Sequence, residues 1–207
     1  IRTSYYRTYW EDGAIPVNQS TTNLFRGEIQ VNNIFSDKII LVSGVESSGA
    51  DVNSTLFGKP VYFSMGVYSQ LDYKFDFPLS VTAGVRYDYS ILDTLSGASA
   101  FSPKLGLNYK ASDKVILRSS IGTGFRAPTL AESFTSTTAS GISVRPNPNL
   151  KSEKNYSLEA GINFQPSEIF TFDVSVFQNE YSDFIEASFK VDDAGNNFII
   201  FDNVSKA

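Results

Sequence analysis

The stretch VYFSMGVYSQLDYKF, residues 61–75, alternates between two kinds of side chain. Its odd positions are apolar except for one serine: Val61, Phe63, Met65, Val67, Ser69, Leu71, Tyr73 and Phe75. Its even positions are polar, charged or small: Tyr62, Ser64, Gly66, Tyr68, Gln70, Asp72 and Lys74. Because successive side chains of a β-strand point to opposite faces, this stretch predicts a strand with one apolar and one polar face.

The same alternation recurs in residues 79–90 and 156–165, and the charged side chains keep to the polar positions. Such runs exceed the ~5–6 residues of a usual strand in a soluble sheet, whereas a membrane-crossing strand needs roughly 9–11. An Arg or Lys facing lipid near the membrane midplane costs ~2–4 kcal/mol, which explains the restriction to one face. The pattern predicts an all-β protein with the fold of an antiparallel up-and-down transmembrane β-barrel.

Composition excludes several other classes of protein. The chain has 207 residues, no cysteine, no histidine and a net charge of −5. Disulfides, thiol chemistry and the commonest metal and haem ligands are therefore absent from it. Basic residues are not clustered, which argues against nucleic-acid binding. We therefore predict that the protein is not an enzyme and that it holds no cofactor and no metal ion.

The connections alternate between long and short along about ten predicted strands. The long ones cover residues 11–22, 48–58, 93–100, 127–151 and 187–196. Because outer-membrane barrels have short periplasmic turns and long extracellular loops, we expect these loops to face outward. Residues 127–134 could form a helical turn with Pro128 at its first position.

Aromatic residues are frequent near the predicted strand ends, as in the girdles at the two lipid–water interfaces of a barrel. A soluble antiparallel sandwich also alternates apolar and polar positions, and it stays open as an alternative.

Two segments on either side of the longest loop carry a family resemblance. GTGFRAPTLAE, residues 122–132, and NPNLKSE, residues 147–153, resemble the "GFRAP" and "NPNLKPE" segments of TonB-dependent outer-membrane receptors. FSPKLGL, residues 101–107, is similar to the "SPRLGL" strand of that family, and DNVSKA, residues 202–207, resembles its "NVGKA" segment. Ser152 departs from the proline that the family usually has there.

The resemblance implies a 22-stranded barrel closed by an N-terminal plug, in the outer membrane of a Gram-negative bacterium. Residues 1–207 would be a partial barrel domain, with the plug and the C-terminal strands outside it. The implied partners are TonB, reached through the plug, the outer-membrane lipid, and a small-molecule chelate.

The resemblance also implies a set of motif residues that shape loops or contact the plug: Phe125, Arg126, Ala127, Pro128, Asn147, Pro148, Asn149, Leu150 and Glu153. Arg126 and Arg145 are the candidate ligand-binding residues, because a guanidinium forms paired hydrogen bonds with the carboxylates of an anionic chelate.

The function implied is active uptake of a scarce nutrient chelate, first of all a ferric siderophore. Haem receptors of the family often carry a histidine between the two motifs, and residues 129–146 contain none. A passive porin and a soluble β-sandwich adhesin are the alternatives. The sequence does not name the ligand.

Overall fold

A computed structural model describes residues 1–13, 17–95, 97–139 and 141–204. The last part of the NVGKA-like segment, residues 205–207, lies outside this range. The elements, in chain order, are β1 (Arg2–Glu11), β2 (Gln19–Ser36), β3 (Ile39–Ser54), β4 (Val61–Lys74), β5 (Leu79–Leu92), β6 (Ala98–Ser112), β7 (Val115–Arg126), α1 (Leu130–Phe134), β8 (Thr137–Ala139), β9 (Ile142–Arg145), β10 (Glu153–Phe164), β11 (Phe172–Ser182), β12 (Phe184–Val191) and β13 (Asn197–Val204).

The main sheet of the described residues has nine strands in the order β1-β2-β3-β4-β5-β6-β7-β10-β11. Each strand pairs antiparallel with its neighbours, so the chain runs up and down along the sheet. Its strands reach 18 residues in β2, far above the usual length. The predicted fold is confirmed as a stretch of antiparallel barrel wall, which in this chain is open at β1 and β11.

One face of the main sheet is apolar and exposed. Val67 of β4 pairs with Val45 of β3 and with Tyr87 of β5, so the odd residues of these strands share a face. Val67 is 49% exposed and Tyr87 50%, whereas the polar residues Tyr68 and Arg86 beside them are partly covered. A soluble sheet buries its apolar side, so this inverted pattern indicates a face that meets lipid. The alternative of a soluble sandwich is wrong.

Aromatic pairs lie toward both ends of this apolar face. The rings of Tyr5 and Phe25 are 4.7 Å apart between centroids, on the half nearer the long loops. Those of Phe75 and Phe77 are 5.1 Å apart, beside a short turn. This placement is what interfacial aromatic girdles require.

The polar face is lined by long side chains that lie flat over glycines. The Tyr68 hydroxyl crosses β3 to donate to Glu28 Oε1 of β2 at 2.7 Å, passing directly over Gly44. Arg86 covers Gly66 in the same way, and pairs with Asp88 at 2.7 Å and with Glu46 at 3.8 Å. Charged side chains of this face therefore pair with opposite charges, as Arg86 does with Asp88 of its own strand and with Glu46 two strands away.

We expect Gly44→Val to destabilise the barrel. A Cβ at this position would lie 2.5 Å from the Tyr68 ring and 2.8 Å from the carbonyl oxygen of Ile29. The backbone cannot move aside easily, and overpacking of this kind costs about 1–3 kcal/mol. Gly27→Val is the matched control, because a Cβ on Gly27 meets nothing within 4 Å. The midpoint temperature of thermal unfolding of the intact protein should fall in Gly44→Val and stay unchanged in Gly27→Val. Equal midpoints for the two variants would contradict this packing.

Several strands extend further into the predicted long loops than the sequence analysis placed them, so those predicted boundaries are wrong. Residues 48–54, predicted as loop, continue β3, because Ser48 and Asp51 keep their pairing with β4. Residues 19–22 likewise belong to β2, and residues 98–100 belong to β6. Strand pairing therefore carries the wall beyond the segments in which apolar alternation is visible.

Two separate strands, β11 and β12, follow the turn after β10. Asp183 has φ 54°, a left-handed conformation that breaks the strand between β11 and β12. Strand β12 then leaves the main sheet and joins a second sheet in the order β12-β13-β9-β8. In this sheet β13 and β9 are parallel, with Ile199 opposite Val144. The predicted loop over residues 127–151 thus contains two strands as well as α1.

The helical turn that was predicted over residues 127–134 begins at Leu130, two residues later than the predicted first helical residue Pro128. Helix α1 has Thr129 as its N-cap, so Pro128 precedes the cap and is not the first helical residue. No helix of the described chain is long and apolar enough to cross a bilayer.

Candidate functional site

The two motif segments meet at the rim of the sheet where the long loops lie. Arg126 ends β7 and Glu153 begins β10, and the two residues are directly opposite in the strand register. Two parallel hydrogen bonds join them: Arg126 Nε donates to Glu153 Oε2 at 2.6 Å, and Nη2 donates to Oε1 at 2.5 Å. This is the bidentate geometry that makes arginine–carboxylate pairs strong and directional.

The same guanidinium holds helix α1 against the rim. Arg126 Nη1 donates to both carboxylate oxygens of Glu132 at 3.0 Å. Glu132 also accepts the backbone N–H of Thr129 at 2.7 Å, and the Thr129 hydroxyl accepts the N–H of Glu132 at 3.2 Å. Sequence reasoning missed Glu132, although Thr-x-x-Glu is the signature of a capping box and indicates this contact.

Glu153 extends the cluster to the second sheet. Its Oε1 accepts the backbone N–H of Ile185 in β12 at 2.8 Å, and its side chain is only 9% exposed. We call Arg126, Glu132, Glu153 and the Ile185 amide the rim clamp. It ties β7, α1, β10 and β12 together, so it brings both motif segments and the second sheet to one place.

The charges of the clamp are mutually stabilised. Hydrogen bonds from Arg126, aided by the Ile185 N–H, lower the pKa of the Glu153 carboxyl against the opposing effect of burial. Burial raises the pKa of Glu132, but hydrogen bonds from Arg126 and Thr129 outweigh it and leave this pKa below its usual value. Both carboxyls are therefore ionised at neutral pH, and they share a single arginine.

The second motif is also fastened to β13. Asn147 Nδ2 donates to the carbonyl oxygen of Phe201 at 2.9 Å. Asn203 accepts the N–H of Lys151 at 2.8 Å, and it donates to the carbonyl oxygens of Lys151 at 2.9 Å and of Asp183 at 2.6 Å. Asn147 and Asn203 thus hold the second motif against β13, and the loop-shaping role implied for Asn147 stays a prediction. Asn203 belongs to the NVGKA-like segment, which is the signal that could have identified it.

Arg145 is engaged in a separate contact. Its Nη2 donates to Asp192 at 2.7 Å, and its guanidinium carbon lies 4.0 Å from the centroid of the Phe198 ring. The hydrogen bond from the Arg145 guanidinium, and to a smaller extent that from the Asn196 backbone N–H, lowers the pKa of the Asp192 carboxyl to about 2. The structure does not bring Arg145 and Arg126 into one cluster, and both are held by carboxylates of the protein. Ligand contact by these two arginines stays a prediction.

The remaining motif residues divide between two surfaces. Phe125 lines a groove together with Phe101, Tyr156 and Lys154. A second recess, which we call the rim cleft, has a volume of about 560 Å³ and lies between the two motifs and the loop between β5 and β6. The motif residues Ala127, Pro128, Pro148, Asn149 and Leu150 line it. Within the described ranges, no group of three or more acidic residues is placed to hold a metal ion.

Comparison with known proteins agrees with this architecture. The family model of the TonB dependent receptor-like β-barrel matches residues 3–207. The hemin receptor of Yersinia pestis is 30% identical to this chain, and the match covers 53% of the chain and 19% of that protein. The chain thus spans about a fifth of the length of this curated relative.

Solved structures give the same fold. The siderophore receptor PirA from Pseudomonas aeruginosa has a TM-score of 0.76 at 19% identity, covering 99% of this chain and 41% of that one. The hemophore receptor HasR of Serratia marcescens has a TM-score of 0.76 at 16% identity, covering 92% of this chain and 38% of that one. At such identities the likeness establishes the fold alone.

Proposed function

The chain belongs to the TonB-dependent receptor β-barrel family, and on that premise we propose that the intact protein imports a scarce nutrient across the outer membrane of a Gram-negative bacterium. The observation that carries the proposal is the family match over residues 3–207, in which both motif segments are joined by the rim clamp. Energy would come from TonB, acting through a plug inside the barrel. The family consists of receptors and transporters, which are not enzymes.

The cargo that we propose first is a ferric siderophore. The solved relative PirA from Pseudomonas aeruginosa is a siderophore receptor. The polar face of the sheet carries neutral hydrogen-bonding groups as well as charges, such as Gln70 and Tyr68. A wall of this kind suits a polar chelate that brings its own iron ligands, because the protein then needs to supply none.

Haem is the second candidate, and the hemin receptor of Yersinia pestis favours it. Haem iron is held by His, Cys, Met or Tyr in most proteins. This chain has no His and no Cys, and its one Met is Met65 on the apolar face. Within this chain a haem ligand would have to be a tyrosine such as Tyr181 at the rim.

Uptake by cells that produce the full-length receptor separates these functions. Strains with and without TonB would be given ⁵⁵Fe-loaded hydroxamate siderophore, ⁵⁵Fe-loaded catecholate siderophore, or haem as the iron source. We expect TonB-dependent accumulation of one siderophore class. Growth on haem alone would favour the second candidate. Accumulation that does not depend on TonB would support a passive porin and overturn the proposal.

We further expect deletion of residues 135–143 to weaken uptake without preventing membrane insertion. These residues include β8 and the start of β9, which belong to the second sheet and not to the membrane-crossing wall. Loops held on a rigid scaffold commonly bind ligands. Uptake would be measured at matched receptor levels, with Arg145→Ala as a milder change at the same sheet. Unchanged uptake in the deletion strain would place the ligand elsewhere.

A further inference from the structure

The groove beside Phe125 opens on the lipid-facing side of the wall. Leu158 of β10 is opposite Ile121 of β7, and both are exposed apolar side chains of that side. Lys154 is an even-numbered residue of β10 like Leu158, so it points the same way. It is opposite Phe125, next to the last residue of β7, and therefore lies at the rim where the long loops are. We call this recess, of about 820 Å³, the lipid-side groove.

Two opposite charges line this groove without pairing. Glu180 of β11 is opposite Tyr156 of β10. Lys154 precedes Tyr156 on the same side of the sheet, so Lys154 and Glu180 are diagonal neighbours. Across the described ranges the Lys154 ammonium has no ion pair or hydrogen bond, and the Glu180 carboxylate accepts a hydrogen bond from Gln178 at 2.7 Å. Both charged side chains are exposed, so a ligand can reach them.

The length of β10 gives the level of the groove in the membrane. A strand crosses the hydrocarbon layer in roughly 9–11 residues, and β10 has 12, over Glu153–Phe164. Because Phe164 lies at the end with the short turns, Lys154 lies at the outer edge of the hydrocarbon, level with the lipid headgroups. Phe101 and Tyr156 line the groove beside it, as aromatic rings do at a lipid–water interface. The molecule that meets the groove from outside the wall is therefore a lipid.

The groove forms where β6 and β7 separate. Their pairing ends at Lys104 and Gly122, although β6 begins at Ala98 and β7 continues to Arg126. Pro103, the next residue of β6, has no N–H with which to continue the ladder. The two strand ends line the groove without pairing with each other. Polar backbone groups at the edge of a bilayer need a hydrogen-bonding partner, which a polar headgroup supplies.

The two charges call for a headgroup that carries both signs. Lysine binds phosphate as a point charge, and a carboxylate accepts hydrogen bonds from the N–H groups of a primary ammonium. A quaternary ammonium has no such donors, and a purely anionic headgroup would set a negative charge beside Glu180. We propose that the lipid-side groove binds a phosphoethanolamine headgroup of an outer-leaflet lipid, with its phosphate at Lys154 and its ammonium at Glu180. The groove lies outside the barrel, so the site does not depend on the cargo proposed above.

The test uses native mass spectrometry of the full-length receptor in dodecyl maltoside. The probes are phosphatidylethanolamine, phosphatidylcholine and phosphatidylglycerol with identical acyl chains, added one at a time. We expect phosphatidylethanolamine to bind at least about fivefold more tightly than the other two. Glu180→Gln should remove this preference, and Lys154→Gln should weaken the binding of phosphatidylethanolamine at least about fivefold. The control is Lys114→Gln/Glu168→Gln, which removes one exposed charge of each sign at the short-turn end of the wall.

Thermal unfolding in the lipid-free detergent provides the second measurement and shows that each variant is folded. Since both side chains are exposed and Lys154 has no ion-pair partner among the described residues, both variants should unfold at the temperature of the unaltered receptor. Equal binding of the three lipids, or tighter binding of phosphatidylglycerol, would overturn the proposal. A preference for phosphatidylethanolamine that survives in Glu180→Gln, or undiminished binding by Lys154→Gln, would overturn it as well.

Discussion

Val67→Arg is expected to lower the amount of receptor assembled in the outer membrane severely, whereas Gln70→Arg should assemble normally. Val67 lies in the middle of β4, is 49% exposed and has the apolar partners Val45 and Tyr87 on either side. An arginine there would face lipid close to the membrane midplane, at a cost of ~2–4 kcal/mol. The charged residues of β4, Asp72 and Lys74, lie on the opposite face, so an arginine at position 67 would have no partner of opposite charge on its own strand.

Gln70 is three residues away, on the polar face. Its amide already donates to the Asp72 carboxylate at 3.0 Å, so an arginine at this position would find a partner of opposite charge. The two variants add the same side chain to the same strand, and only the face differs. Receptor levels would be measured in isolated outer membranes by immunoblotting, with expression matched. Equal levels of the two variants would contradict the assignment of the faces.

Among single substitutions at the rim, Arg126→Ala is expected to reduce local stability the most. The substitution leaves Glu153, whose side chain is 9% exposed, and Glu132 without their shared cation. Hydrogen bonds to charged groups contribute about 1.5–3 kcal/mol each; because Arg126 is 41% exposed, solvent screening reduces that contribution. We therefore expect a loss of about 2 kcal/mol, confined to α1 and the second sheet.

Hydrogen exchange of the Ile185 amide reports on this loss directly. That amide donates to Glu153, so it should exchange faster once the carboxylate is no longer held by Arg126. Arg145→Ala is the matched control, because it removes a rim arginine that pairs with Asp192 and does not touch Glu153. If Arg126→Ala left the exchange of Ile185 unchanged, the clamp would not be what joins the second sheet to the wall.

Inspection of residues 61–75 was enough to predict the faces of the wall, because a strand alternates its side chains with a period of two and lipid penalises charge on one side. This local rule needs no knowledge of neighbouring strands. It assigned Val67 and Gln70 to opposite faces, and the strand pairing agrees. The two motif segments were likewise recognisable from residue order alone. Their meeting at one rim followed from the strands beside them.

The structure of the rim could not be predicted in this way, because it is decided by contacts between residues far apart in the chain. Residues 48–54 read as a polar loop, yet they form strand because β2 and β4 supply hydrogen bonds on both sides. Arg126 was predicted as a candidate ligand contact, but Glu132 and Glu153 take up its guanidinium. The parallel pairing of β13 with β9 joins segments more than 50 residues apart. Periodicity reports which way one strand faces, whereas a polar side chain's partner is decided by whichever distant segment the tertiary fold brings beside it.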